Sequence, residues 1–286
     1  MQASDLTGYL RLMGKESLVS ALMNGTGLPE YLRSGIPGMP SEEIQMSTTG
    51  KVGQRNIIEA VDFCHSVIER YRTHTSSGQP AVLDFGCGWG RIARTFLSVT
   101  PASMITGVDV RPDAVELARS LSAAIDFSLI APRPPAYQFQ NRIFDLIVGY
   151  SVFSHLSEDV AQAWINEFAR IVAPSGLVCI TTRARMHLVN SKGQSENTVD
   201  LSGHLKQYAT MLDDFDTAIS RYDAGEFVYV PTGGGGLLSP DFFGEAIIPK
   251  SYVEKNWQTH FTLVDWIDNF SEVGTQPIIV LQRNSF

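Results

Sequence analysis

The chain is 286 residues long, 44% hydrophobic and 18% charged, a balance that excludes disorder as its main state and is enough for a sizeable core. Its 30 acidic against 22 basic residues leave a net charge of -8, which disfavours nucleic acid or an anionic membrane as the main partner. No apolar run approaches the roughly 20 residues of a bilayer span, the start lacks the basic leader and apolar stretch of a signal peptide, and three scattered cysteines, Cys64, Cys87 and Cys179, fit a reducing cytoplasm better than a disulfide frame.

Residues 1–79 read as a helical N-terminal extension. Asp5–Leu22 is predicted as one helix, and the Gly/Pro-rich passage from Gly25 to Glu43 as loop and turns. Ile57, Val61, Cys64, Ile68 and Tyr71 recur at helical spacing, which predicts an amphipathic helix over Gln54–Arg72.

From Pro80 to Thr182 short β-rich runs alternate with helical ones. Strands are predicted at Ala81–Phe85, Met104–Val110, Ile125–Leu129, Phe144–Tyr150 and Leu177–Thr182. Helices are predicted at Arg91–Ser98, from Pro112 to Ser120, and after Ser157, whose following Glu158 and Asp159 suit a helix start. Such alternation implies a parallel sheet covered on both faces. The alternation then stops. His204–Tyr222 reads as a helix, Glu226–Val230 and Glu245–Ile248 as strands around a glycine-rich loop, and Phe261–Ile267 with Pro277–Gln282 as a closing antiparallel pair. Residues 80–286 are therefore expected to form one domain, with an insertion at about 191–250.

The sharpest motif is VLDFGCGWGRIAR, residues 82–94. A strand delivers the chain to Gly86, Gly88 and Gly90, where positive φ is allowed and a ligand can approach the backbone without a Cβ in the way. Asp109 ends the second strand, placed to accept hydrogen bonds from ribose hydroxyls. Loop plus acid implies a nucleoside-bearing cofactor. The dinucleotide fingerprint needs its third glycine one position later, whereas Asp84 stands ahead of three alternate glycines here.

That spacing, with GVDVRPDAVELAR after it, resembles the class I S-adenosylmethionine (SAM)-dependent methyltransferases. FDLIVGYSVFSHLSED and FARIVAPSGLVCITT resemble their fourth strand and their fifth-strand unit, so the likeness covers about residues 80–182. The resemblance implies an α/β Rossmann-like fold: a seven-stranded, mostly parallel sheet with an antiparallel last strand, the insertion lying before the last two strands. It implies SAM as cofactor, held along Asp84, Gly86, Cys87, Gly88, Trp89, Gly90, Asp109, Val110, Ile130, Ala131 and Tyr150. Asp84 is expected to suit the cationic amino-acid end of SAM. Ile130 and Ala131 stand where the family usually carries an adenine-binding acid. FGCGWGR, RPP and SVFSHL are closest to methyltransferases of bacterial glycan and small-molecule biosynthesis, which implies polysaccharide biosynthesis as a setting.

Methyl transfer to a hydroxyl benefits from a general base. His155, after the fourth strand, is the candidate, with pocket shaping or helix capping as the plainer role. Glu245 is the first acceptor-side residue to test, ahead of Tyr229, Tyr252 and His260. Arg91 and Arg94 suit either a carboxylate or phosphate of a ligand or a structural ion pair, and Trp89 suits either a cofactor wall or the core. His65 and His74 read as surface or packing residues, and Gly233–Gly236 as a lid turn. No metal-ligand spacing is present. The expected function is methyl transfer from SAM to an oxygen of a small molecule or saccharide, with an N-methyltransferase or a non-catalytic SAM-binding module as alternatives.

Overall fold

Successive strand residues point to opposite faces of a sheet, and here both faces are apolar. In β1 (Val82–Phe85), Val82 joins one core cluster while Leu83 and Phe85 join the other. Leu146 and Ile147 divide likewise in β4 (Phe144–Gly149), Cys179 and Val178 in β5 (Val172–Thr181), and Val280 and Ile279 in β9 (Ile278–Arg283). Strands buried on both sides are those expected of a parallel sheet under helices. With β2 (Ile105–Asp109), β3 (Asp126–Leu129) and β8 (Phe261–Ile267) they form a seven-stranded sheet of order β3-β2-β1-β4-β5-β9-β8. β9 runs antiparallel to both its neighbours, and the remaining pairs are parallel. This computed structural model describes residues 3–75, 78–197, 203–212, 214–269, 272 and 274–285. The Rossmann-like methyltransferase fold expected from the sequence is the fold observed. None of its described helices is long and apolar enough to cross a membrane.

The N-terminal helices pack into the same core cluster as one face of the sheet. The single helix predicted at Asp5–Leu22 is instead α1 (Ala3–Arg11) and α2 (Lys15–Asn24). Gly14 sits between them in extended geometry, where glycine avoids the cost it carries inside a helix. Within and after the predicted loop come α3 (Glu30–Arg33) and α4 (Glu42–Thr49), the latter capped when Ser41 Oγ accepts from Ile44 N–H at 3.4 Å. α5 (Gln54–His74) buries Ile57, Val61, Cys64, Ile68 and Tyr71.

The helix predicted at Arg91–Ser98 is a 3-10 segment, Ala93–Ser98. There Thr95 Oγ1 and Ser98 Oγ each donate to a carbonyl three residues back, at 2.7 Å, and such local bonds compete with the α-helical ladder. α6 (Pro112–Leu121) and α7 (Glu158–Ile171) follow. α7 buries Val160, Trp164, Phe168 and Ile171 on the second face.

Between β5 and β8 lie α8 (Arg185–Asn197), α9 (Gly203–Met211), α10 (Phe215–Asp223), the β6 (Val228–Val230) and β7 (Glu245–Ile247) pair, and α11 (Lys250–Asn256). The helix predicted over His204–Tyr222 is thus two, because Asp214 caps α10 by accepting from Thr217 N–H at 2.6 Å. Leu188, Tyr208, Ala218, Val228, Val230 and Ile247 give this region a small core of its own.

Candidate functional site

Strand order reverses between β1 and β4, and open α/β sheets bind ligands outside the carboxyl ends of their strands at such a point. A cleft of about 610 Å³ lies there, within the range of small-molecule sites. Its walls include Gly86, Cys87, Gly88, Trp89, Asp109, Val110, Ile130, Tyr150 and His155, so nine sequence-predicted residues share one cavity.

The glycine loop is held rigidly. Gly86, Gly88 and Gly90 have φ of +75°, +52° and +82°. A Cβ on Gly86 would stand 2.3 Å from Val152, and one on Gly90 2.8 Å from Phe127, whereas Gly88 has nothing within 4 Å. Packing therefore demands the outer two glycines, while the middle one keeps open space along the cleft. Gly86 and Cys87 N–H both donate to Val108 O, and Gly88 N–H donates to Asp109 Oδ2 at 2.9 Å. Asp109 Oδ1 accepts from Arg111 N–H at 3.0 Å. The half-buried Asp109 thus ties the loop to β2, and burial pushes its carboxyl upward against these hydrogen bonds.

Four expectations fail on placement: Asp84, Gly90 and Ala131 on the cofactor side and Glu245 on the acceptor side are not among the cleft walls. Asp84 does not line the cleft. It is 1% exposed, and its Oδ2 accepts from Ala93 N–H at 2.9 Å, closing the turn after the loop. Burial lifts its carboxyl to about 7, opposed by the Ala93 hydrogen bond and the Arg91 charge. Ala131 is exposed and lies outside the cleft walls, between Ile130 and Pro132, which do line it. Asp126 opens β3 and so lies at the far end of that strand from the cleft.

The arginines divide. Arg94 is fully buried and donates to Leu22 O and Gly38 O, fastening the N-terminal helices, with its guanidinium 5.0 Å over the Trp89 ring. Arg91 lines the cleft, pairs with Glu59 at 3.2 Å and lies 4.6 Å over the Tyr150 ring. Burial raises the Cys87 thiol well above its ordinary range, so it offers no nucleophile.

On the opposite wall, residues 154–157 run beside residues 242–246. Gly244 N–H donates to His155 O, Ala246 N–H to Ser154 O and Ser157 N–H to Phe242 O. This clamp brings His155 against the inserted region. Its Nδ1 is 2.8 Å from Gly244 O and 3.5 Å from Glu245 Oε1, and its ring stacks on Phe243 at 4.8 Å, 6° from parallel. A carbonyl only accepts, so Nδ1 carries the proton and Nε2 is the acceptor nitrogen.

Glu245 is 2% exposed, 2.5 Å from Arg183 Nη2 and 3.8 Å from His187 Nε2. Burial raises its carboxyl to about 7 despite the Arg183 charge. Tyr229 donates to Pro240 O, Tyr252 donates to Glu158, and His260 is exposed; none of the three lines the cleft. His65 is exposed on α5 and His74 ends that helix. Gly234 and Leu238 of the glycine-rich loop do reach the cleft wall. No cluster of metal-ligating side chains occurs among the described residues.

The raised carboxyls have a thermodynamic consequence. Folded Asp84 and Glu245 bind protons more tightly than the unfolded chain, whose values are near 3.8 and 4.5. Their favourable contribution is fully present below those values and is lost as pH rises through about 7. The thermal unfolding midpoint is therefore expected to rise as pH is lowered from about 8 towards about 5, and Asp84→Asn to flatten that slope. Scanning calorimetry across this window checks it; a midpoint that falls on acidification counts against the assignment.

Residues outside the predicted set also line the cleft: Ser47, Thr48, Thr49, Lys51 and Glu59 from the N-terminal region, and Ser151, Thr275 and Gln276 from the sheet edge. The polar run around Ser47–Thr49 was the local hint; Glu59 carried none.

The fit to a nucleoside cofactor rests on the open approach at Gly88, the acid at the β2 end and the apolar wall at Ile130. Comparison with known proteins agrees. Residues 82–176 match a family described as a methyltransferase domain. A malonyl-[acyl-carrier protein] O-methyltransferase from Paenibacillus sp. (strain JDR-2) is 28% identical over 128 residues, 43% of this chain and 45% of that protein. The match thus spans under half the length of that curated relative. Among solved structures, the PH0226 protein from Pyrococcus horikoshii OT3 superposes with a TM-score of 0.54 at 16% identity, covering 90% of this chain and 100% of that one. Magnesium protoporphyrin IX methyltransferase from Synechocystis PCC 6803, solved with bound SAH, gives 0.51 at 12% identity, over 85% and 93%. These structural likenesses establish the fold.

Proposed function

Residues 82–176 being a class I SAM-dependent methyltransferase domain, we propose that this chain transfers a methyl group from SAM to an oxygen of a small molecule or saccharide, with His155 as general base. The observation that carries the reading is His155 in the same cleft as the glycine loop and Asp109, its tautomer set by Gly244 O.

SAM supplies a methyl group already activated on a sulfonium, so the protein's task is alignment and proton removal. Asp109 would hold the ribose hydroxyls, Val110 and Ile130 would flank the base, and Trp89 and Tyr150 would wall the cavity. His155 Nε2 takes the proton of the acceptor hydroxyl as that oxygen gains its methyl. The imidazolium so formed keeps its Nδ1–H on Gly244 O, and the nearby Glu245 carboxylate, when ionised, favours the positive charge. Phe243 fixes the ring plane.

The relative's name denotes O-methyl transfer, which supports oxygen over nitrogen. A carboxylate acceptor needs no base because it is already deprotonated, so the histidine favours a hydroxyl. The inserted region at about 191–250 supplies Leu238, Phe242 and Phe243 to the cleft and is assigned to acceptor binding. The net charge of -8 supports a non-nucleic-acid acceptor, and three free thiols support a cytoplasmic setting. The narrower resemblance of the loop segments supports a glycan or small-molecule biosynthetic role.

The test is transfer of labelled methyl from SAM to panels of hydroxyl, amine and carboxyl compounds, including sugars and nucleotide sugars. Label on a hydroxyl oxygen supports the reading; label only on nitrogen or on carboxyl esters overturns it. In parallel, Asp109→Ala is expected to weaken SAM binding by about 1–3 kcal/mol, through lost charged hydrogen bonds and the untied Gly88 N–H. Unchanged calorimetric affinity in the folded variant would show the ribose to lie elsewhere.

A further inference from the structure

The matched domain begins at residue 82, yet part of the cleft wall precedes it. Glu59, in α5, accepts from Arg91 Nη1 at 3.2 Å and pairs with Lys51 Nζ. Arg91 also donates to Asn56 O at 3.3 Å. The Arg91 side chain is 9% exposed, Glu59 25% and Lys51 43%. One carboxylate and two cations thus converge on the cleft wall, with Arg91 over the Tyr150 ring that follows β4.

Position in the sheet gives this cluster a meaning. β1 lies between β2, which ends in Asp109, and β4, which ends beside Tyr150. The two ends are two strand spacings apart, about 10 Å. A nucleoside with its ribose at Asp109 has an apolar wall for its base on the β3 side, at Ile130. Its 5′ substituent must then cross β1 towards the cluster. For SAM that substituent ends in an α-amino-carboxylate zwitterion, which needs one anionic and one cationic partner. Asp84, the acid that the loop motif offers, is sealed beneath the loop.

We propose that Glu59, together with Arg91 and Lys51, holds the α-amino-carboxylate end of SAM, so that the N-terminal helical region completes the cofactor site. The proposal rests on SAM being the cofactor. Glu59 receives the ammonium, and Arg91 and Lys51 receive the carboxylate. A sparsely hydrated ion pair is costly to keep in a protein, and a zwitterionic ligand gives this one a use that a purely structural pair lacks.

The test compares two ligands by calorimetry: SAH, the demethylated cofactor that retains the amino-acid tail, and 5′-methylthioadenosine, which shares the nucleoside and sulfur but lacks the tail. Glu59→Gln is expected to weaken SAH by about 10–100-fold, the loss of a charged hydrogen bond, and to leave 5′-methylthioadenosine unchanged. Lys51→Ala, at a more exposed position, is expected to give a smaller loss with the same ligand dependence. Equal losses for both ligands, or undiminished SAH affinity in both variants, would overturn the assignment while leaving the cofactor reading intact. A wild-type protein that binds neither SAM nor SAH would overturn both.

Discussion

His155→Ala is expected to lower methyl-transfer turnover by about 10²–10⁴-fold, the usual contribution of a positioned general base, with SAM affinity unchanged. The two halves of this prediction come from different walls of the cleft. The cofactor side is built by the loop at Gly86–Gly90 and by Asp109, whereas the His155 ring meets Gly244 O, Glu245 and Phe243 on the opposite wall. His155→Gln keeps an amide near the position of the ring without its basic nitrogen, so it separates loss of the base from loss of bulk. Turnover measured with a hydroxyl acceptor, together with calorimetry of SAM binding, checks both halves. Near-normal turnover in both variants would leave His155 as a pocket wall only.

Glu245→Ala is expected to destabilise the fold by about 3–5 kcal/mol, the cost of stripping one partner from a buried charged pair. Glu245 is 2% exposed and stands 2.5 Å from Arg183 Nη2, whose side chain is 20% exposed. Partial access to water moderates the penalty on Arg183, which favours the lower end of that range. Replacing both residues by methionine removes the two charges together and should recover much of the loss. Denaturant unfolding of the wild type, the single variant and the double variant provides the comparison. A double variant as unstable as Glu245→Ala would show that packing, and not the uncompensated charge, is what matters there.

How far the sequence could be read depended on the range of the interaction. The strand before Gly86, the glycine triad and Asp109 lie within 28 residues of one another, from Val82 to Asp109, and their roles in the backbone are local. The sheet order followed from resemblance and strand alternation together. Helix ends were less legible. Gly14 and Asp214 each divide a predicted helix in two, because a break costs little where tertiary packing rewards turning both halves inward. Asp84 was misplaced because a motif gives an acid's position along the chain and not its exposure.

The site's charged contacts show the same division. His155 and Glu245 were each legible as candidates, one from its place after a strand and the other from its place in the insertion. Their approach to 3.5 Å spans 90 positions of sequence and depends on the clamp between residues 154–157 and 242–246. Glu59 and Arg91 are 32 positions apart, on a helix and a loop that carry no shared motif.

By itself, then, the sequence determined the alternating strands of a parallel sheet and the glycine loop with its acid, and so a nucleoside-bearing cofactor, since these depend on backbone conformation and side-chain periodicity over short stretches. The seven-stranded order and SAM came with the family resemblance. Only the tertiary structure decided which charged groups are buried, which face the cleft and which meet across it. Burial and electrostatic pairing depend on distance through space, and chain separation does not encode that distance.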